Sequence, residues 1–271
     1  MDFEARTLTT RSMSIVIKNA RQIEQMRLAG KLAGEILDQV ADYVRPGVTT
    51  GDVDQYAAQL MHDAGCKSAF LGYRGFPGNI CISVNEEVIH GIGGQRRVQY
   101  GDIVKLDIGI FRDGWVGDNA TTVAVGIVPS EIQKLMAATE ESLYKAIALV
   151  REGVRLGDVC AEIEEHVVAR GYSVVREFVG HGVGQKLRED PQVPNYGRRG
   201  SGPKLKAGMT LAIEPMVNMG KAGVQVLADG WTAVTVDRLP SAHFEHTVLV
   251  TKGEPEILTW REKILSKFKA K

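Results

Sequence analysis

The sequence predicts an α+β fold built from two copies of one helix–helix–strand–strand unit, facing each other across a pseudo-two-fold axis. Residues 44–53 recur as 150–159, with seven of ten residues identical at an offset of 106. Apolar residues at helical spacing precede each copy: Ile23, Met26, Gly30, Ala33, Leu37 and Val40 in the first, and Ile132, Leu135, Met136, Leu143, Ile147 and Val150 in the second. A shorter amphipathic stretch follows each copy and ends near a glycine, Gly65 or Gly171.

The elements follow in order. Ser130 with Gln133 reads as a capping box opening the third helix. The segment from Gly101 to Asp107 parallels the one from Gly208 to Glu214; each reads as a turn and then a strand ending in a carboxylate. A second strand follows each: 115–125, carrying Asp118, and 243–250, carrying Glu245. The halves then span about 20–125 and 126–251. Helices are expected on one face of a curved, mainly antiparallel sheet, with the four carboxylates converging on its inner face. Residues 1–12 are polar and read as a tail, with Met13 as an alternative start; residues 13–271 read as one domain.

Composition narrows the function classes. The 271 residues carry 33 Lys plus Arg against 33 Asp plus Glu, a balance that gives no reason to expect a nucleic-acid or acidic-membrane partner. Three scattered cysteines form no CxxC pair, and a reducing cytoplasm is the simplest compartment. No apolar run approaches the length of a membrane span.

Acids on apolar strands require explanation. A lone strand-end acid commonly points to solvent, but acids in matching places of a repeat do not fit that reading well. Buried carboxylates close together must be protonated, paired or metal-bound. Four carry about four negative charges, which two divalent cations neutralise. Lys105 is the one lysine in the four strands, and alternation puts it on the face of Asp107. Oxygen-rich ligation with one imidazole suits Mn, Fe(II), Co or Zn. The candidate imidazole is His181, set between Gly180 and Gly182. By alternation His246 points away from Glu245, while His243 shares its face. His62 and His166 read as surface residues on helices.

Together these residues resemble the type I methionine aminopeptidases, of the pita-bread fold. The resemblance runs from about Met13 to the end. It is carried by Asn85-Glu86-Glu87-Val88-Ile89-His90-Gly91-Ile92, Lys105-Leu106-Asp107-Ile108, Gly117-Asp118, Gly180-His181-Gly182-Val183-Gly184, Ile213-Glu214-Pro215-Met216 and Phe244-Glu245-His246-Thr247. It implies that Asp107, Asp118, His181, Glu214 and Glu245 ligate two divalent metals, with a metal-bridged hydroxide attacking the first peptide bond. It further implies Glu214 as proton acceptor and His90 as a contact to the scissile region or terminal amine. By motif position the pocket for methionine has walls from Phe70, Tyr73, Phe76, Cys81 and Trp231, with Leu187 near the mouth. The implied substrate is the initiator methionine of nascent chains, with the ribosome as a further partner and a monomer as the working state.

Three positions depart from that family's pattern. Arg188 stands where a second catalytic histidine is usual, seven residues after His181. Arginine donates hydrogen bonds but exchanges no proton near neutral pH. Arg188 is therefore expected to hold the substrate carbonyl or an anion at reduced turnover. Arg74 replaces a common histidine, and Phe70 a common cysteine, which predicts a narrower pocket or a changed rim. Two rivals stay open here: a non-catalytic pita-bread protein that binds peptide, RNA or ribosome, and an aminopeptidase of other specificity such as Xaa-Pro. A binding-only member is expected to have lost ligands, and all five are present. Xaa-Pro relatives generally carry an extra N-terminal domain, which this length does not accommodate. Type II methionine enzymes carry an insertion between the last two ligands, and Glu214 and Glu245 are too close for one.

Overall fold

The computed structural model describes residues 14–261. The tail read at 1–12 and the start at Met13 lie outside them. Two helices and a set of strands occur twice. The first half holds α1 (Ala20–Tyr43), α2 (Thr50–Asp63), β1 (Lys67–Ser68), β2 (Cys81–Val84), β3 (Glu87–Ile89), β4 (Ile103–Arg112) and β5 (Trp115–Ala124). The second holds α3 (Ser130–Ala148), α4 (Leu156–Val168), β6 (Ser173–Val174), β7 (Gly180–Gly182), β8 (Glu189–Val193), β9 (Thr210–Ile213) and β10 (Met216–Asn218). It continues with β11 (Val224–Val226), β12 (Ala233–Thr235), β13 (Ser241–His243), β14 (His246–Leu249) and β15 (Glu256–Ile257).

The repeated sequence has a local cause. Asp52 accepts from the Thr49 backbone N–H at 2.8 Å and so closes the start of α2. Asp158 does the same for Arg155 at 3.3 Å ahead of α4. The two aspartates of the repeat therefore satisfy helix-start N–H groups that would otherwise lack a partner. The capping box expected at Ser130 is absent. Pro129 occupies the cap position and has no N–H to offer, so Gln133 donates to the Val128 carbonyl instead.

Each half has its own apolar core. In the first, Ile36, Leu37 and Val40 of α1 and Val53 and Ala57 of α2 pack on Ile82, Leu106, Ile108 and Ile110. In the second, Leu135, Leu143 and Ile147 of α3 and Val159 and Ile163 of α4 pack on Leu211, Ile213 and Val248. Apolar burial of this kind stabilises by roughly 25 cal/mol per Å². The strands pair antiparallel throughout, in four sheets; β1-β4-β2 with β5, and β15-β14-β9-β7-β8, carry the acids or lie beside them. Among the described residues no helix is long and apolar enough to cross a membrane.

The halves meet along a seam between β5 and the segment from β13 to β14. Glu245 N–H donates to the Ala120 carbonyl at 3.0 Å, and Thr247 Oγ1 donates to the Asp118 carbonyl at 2.8 Å. Thr122 Oγ1 donates to the His243 carbonyl at 2.6 Å. Two expected strand boundaries shift. Asp107 lies mid-strand, because β4 runs on to Arg112 before Asp113 and Gly114, both at positive φ, turn the chain into β5. The strand expected at 243–250 breaks at Phe244 and Glu245, where the chain leaves β10 for the seam.

Candidate metal centre

Five side chains from five segments converge where the seam crosses the inner face. Asp107 comes from β4, Asp118 from β5 and His181 from β7, while Glu214 directly follows β9 and Glu245 lies between β13 and β14. Carboxylate oxygens of Asp107, Asp118 and Glu245 all lie within 4.8 Å of one another. His181 Nε2 stands 3.7 Å from Asp118 Oδ2 and 3.5 Å from Glu214 Oε1. Its Nδ1 lies 2.9 Å from the Gly182 carbonyl, which requires the proton on Nδ1 and leaves the Nε2 lone pair facing the acids. Asp118, His181, Glu214 and Glu245 are buried, and Asp107 opens onto the cavity.

The electrostatics expose the cost of this arrangement. Burial, then the charge of Glu214, pushes Asp107 up to about 8. Burial pushes Glu214 up to about 8 as well, with Arg188 opposing the shift and Asp118 adding to it. Asp118 and Glu245 are driven well above the carboxylate range by burial and by the neighbouring acids. Burial and the nearby Arg188 cation hold His181 down at about 3, so its imidazole is neutral. Asp107 Oδ1 is buried and has no hydrogen-bond partner. A neutral nitrogen lone pair aimed at crowded carboxylates, one oxygen of them unpartnered, is a donor set that fits divalent cations. Lys105 does not supply the balancing charge: its amine turns away to the Asn85 carbonyl, at 2.6 Å.

The acids form the floor of a cavity of about 240 Å³. Phe70, Tyr73, Phe76, Cys81, His90, Leu187 and Trp231, all expected from the sequence, line it together with Arg74 and Arg188. The Phe70 ring comes close to β4 because Gly109 has no side chain; a Cβ there would meet the ring at 2.4 Å. Trp231 meets Phe76 edge-on at 5.2 Å. His90 has positive φ and packs edge-on against Phe178 at 5.4 Å and Trp231 at 6.2 Å. Burial, with Arg188 adding to it, lowers His90 to about 4, so it is neutral near pH 7. Burial pushes the Cys81 thiol up, and Asp107 and Asp118 push it further, which makes it a poor nucleophile.

Arg188 reaches over this floor, with Nη1 3.4 Å from the Val179 carbonyl. Burial disfavours its charge, but Glu214, Asp118 and Glu245 outweigh that and favour the guanidinium. Arg74 lies at the cavity wall with its guanidinium 5.5 Å from the Tyr73 ring centre. Two wall residues, Phe178 and Ile89, were not expected from the sequence. Each abuts a residue that was: Ile89 precedes His90, and Phe178 opens the glycine-rich stretch around His181. The other histidines divide. His246 turns from Glu245 to Tyr144 and Thr259, at 3.0 and 2.9 Å, as alternation requires. His243 is buried but is not among the cavity-lining residues. His62 is exposed. His166 is not a surface residue: α4 turns it inward, with Nε2 3.3 Å from Glu141.

A model of metallopeptidase family M24 matches residues 24–252. The chain belongs to metallopeptidase family M24. Within M24 it is similar to a methionine aminopeptidase of Clostridium perfringens, 50% identical over 245 residues that cover 90% of this chain and 98% of that protein. Among solved structures it is similar to methionine aminopeptidase from Rickettsia prowazekii, with a TM-score of 0.90, 40% identity, and coverage of 91% of this chain and all of that one. A prolidase from Pyrococcus furiosus shares the M24 fold at a TM-score of 0.73 and 22% identity. The match covers 90% of this chain and only 65% of the prolidase. Membership of this metallopeptidase family implies use of a divalent metal, and the carboxylate cluster is in place for it.

Proposed function

We propose that the chain removes the N-terminal methionine from peptides and nascent proteins, with Asp107, Asp118, His181, Glu214 and Glu245 holding two divalent cations. The observation that carries this reading is the joining of five donors to one apolar cavity: four acids and a neutral imidazole lie under walls of Phe70, Phe76 and Trp231. When bound, such a pair supplies Lewis acidity to the scissile carbonyl and acidifies a water.

The chain's own residues do the rest. Phe70, Phe76, Tyr73 and Trp231 exclude water and take up the methionine side chain, with Cys81 at the base and Leu187 at the mouth. Glu214, ionised beside the cations, accepts the proton of the attacking water and passes it to the leaving amine. His90 is neutral and donates one N–H toward the carbonyl oxygen or the terminal amine. Arg188 donates to the same carbonyl but holds its proton throughout, so it orients without shuttling. Its cation above the acids also competes with the metals for their charge, which lowers turnover. Mn, Fe(II), Co and Zn all suit the donor set. The cytoplasm, where three unpaired cysteines stay reduced, is the proposed location, and a monomer acting at the ribosome the proposed working form.

The test is release of methionine from Met-Ala and Met-Gly peptides with Mn, Co, Fe or no added metal. Release that depends on metal supports the reading. Peptide binding without release under every metal favours a binding-only protein, and release of another first residue in preference favours an aminopeptidase of different specificity.

A further inference from the structure

Among the largest fully buried side chains is a lysine. Lys105 is 1% exposed, near the start of β4 between Val104 and Leu106. Burial lowers this amine to about 7, with Glu87 and Glu86 resisting the shift, and a buried amine is costly unless its hydrogen bonds are met. Its Nζ donates to the Asn85 carbonyl at 2.6 Å. Two of the carboxylates around it are engaged elsewhere: Glu87 pairs with Arg96 at 2.7 Å and Asp102 accepts from Asn85 Nδ2 at 2.8 Å.

That carbonyl is a junction. It also accepts from the Ser241 N–H at 3.1 Å. Three segments therefore meet on one oxygen, and each leads within a few residues to the centre. Lys105 stands two residues before Asp107, Asn85 five before His90, and Ser241 four before Glu245. The Asn85 side chain fastens the same place, accepting from the Ile103 N–H at 2.9 Å. Asn85 and His90 both adopt positive φ, a conformation that non-glycine residues hold when their surroundings impose it.

We infer that Lys105 is a positioning residue of the active centre, its Nζ–H donor fixing on the Asn85 carbonyl the three segments that carry Asp107, His90 and Glu245. The role in turnover rests on the function proposed above; the role in placing the acids does not.

The experiment compares the parent with Lys105→Met, Lys105→Arg and Lys105→Ala. Lys105→Met keeps the stem and removes the donor. It is expected to fold, by circular dichroism, to lose about tenfold in kcat with KM changed less than twofold, and to bind Mn more weakly by calorimetry. Lys105→Arg, which retains a cationic donor, is expected to recover part of that kcat. Lys105→Ala opens space at the carbonyl, and ammonium chloride is expected to restore its kcat and Mn affinity. Tetramethylammonium chloride, which has no N–H, at equal ionic strength is expected not to. A Lys105→Met protein that turns over and binds Mn like the parent overturns the inference, as does a Lys105→Ala protein that ammonium fails to rescue. Loss of a cation by itself would tighten Mn binding, so tighter binding in Lys105→Met also overturns it. If the parent releases no methionine, the proposed function fails, and the Mn isotherms still decide the role of Lys105.

Discussion

The floor and the wall of the cavity are built on different principles. The floor takes donors from both halves of the repeat and holds them where the acids raise one another's pKa, as Glu214 does for Asp107 and Asp118 for Glu245. The wall comes from loops and strand ends, and its side chains touch one another edge-on or through charge, as Phe76 does Trp231 and Arg188 does the acids. A floor of this kind tolerates no exchange of residue type, because every donor answers to the others. A wall of aromatic and cationic side chains admits substitution at the price of selectivity and rate.

Changes to the floor should therefore be the most damaging. Glu214→Gln removes the proposed proton acceptor while keeping its shape, and kcat for Met-Ala release should fall by about 10²–10⁴-fold; a fall under threefold would place the proton transfer elsewhere. A wall change, Trp231→Ala, should lower kcat/KM for methionine peptides by at least the roughly 10–200-fold typical of one methylene lost from an apolar pocket, while metal binding stays as in the parent. Arg188→His belongs to both regions, and turnover should rise on the order of tenfold as a proton-exchanging group returns. An unchanged rate would show that Arg188 costs nothing.

The floor also predicts a pH dependence of the metal-free protein. Asp107 and Glu214 have folded-state pKa values of about 8, above their ordinary values of 3.8 and 4.5. Below about pH 4 both states are protonated and there is no penalty. Between about pH 4 and 8 the unfolded chain gives up protons that the folded chain keeps, so stability falls as pH rises. The melting temperature without metal should decline over that window, by several degrees (~5 °C), and Asp107→Asn should shallow the decline. The smallest effect is expected at Arg74→His on the outer wall, within about threefold in kcat/KM, since an exposed rim charge is screened.

Legibility in the sequence followed the same division. The acids stood out because two of them occupy matching places in a repeat, and the repeat has a local cause in Asp52 and Asp158. The helices were legible from their apolar spacing. The Asn85 junction was not, since it joins residues 20 and 156 positions apart through one carbonyl, and neither periodicity nor local chemistry reports on that. Lys105 shares its strand with Asp107, yet its four-carbon stem let the amine leave for another carbonyl. His166 misled for a simpler reason: a histidine on an amphipathic helix reads as polar, while here its ring turns inward with Nδ1 3.3 Å from Arg170 Nη1. Pro129 defeated the expected capping box by lacking the N–H on which that motif depends.

The seam at Ala120 and Glu245 carries a consequence for the life of the chain. A cation held, as proposed, by side chains from both halves would be a clasp, present only when the halves are seated together. Its binding free energy adds to whatever holds them, about 4 kcal/mol at a free concentration a thousand times the dissociation constant. Scarcity of metal would then loosen the molecule along that line first and open it there to proteases. The supply of a trace element would set how long each copy survives as well as how fast it works.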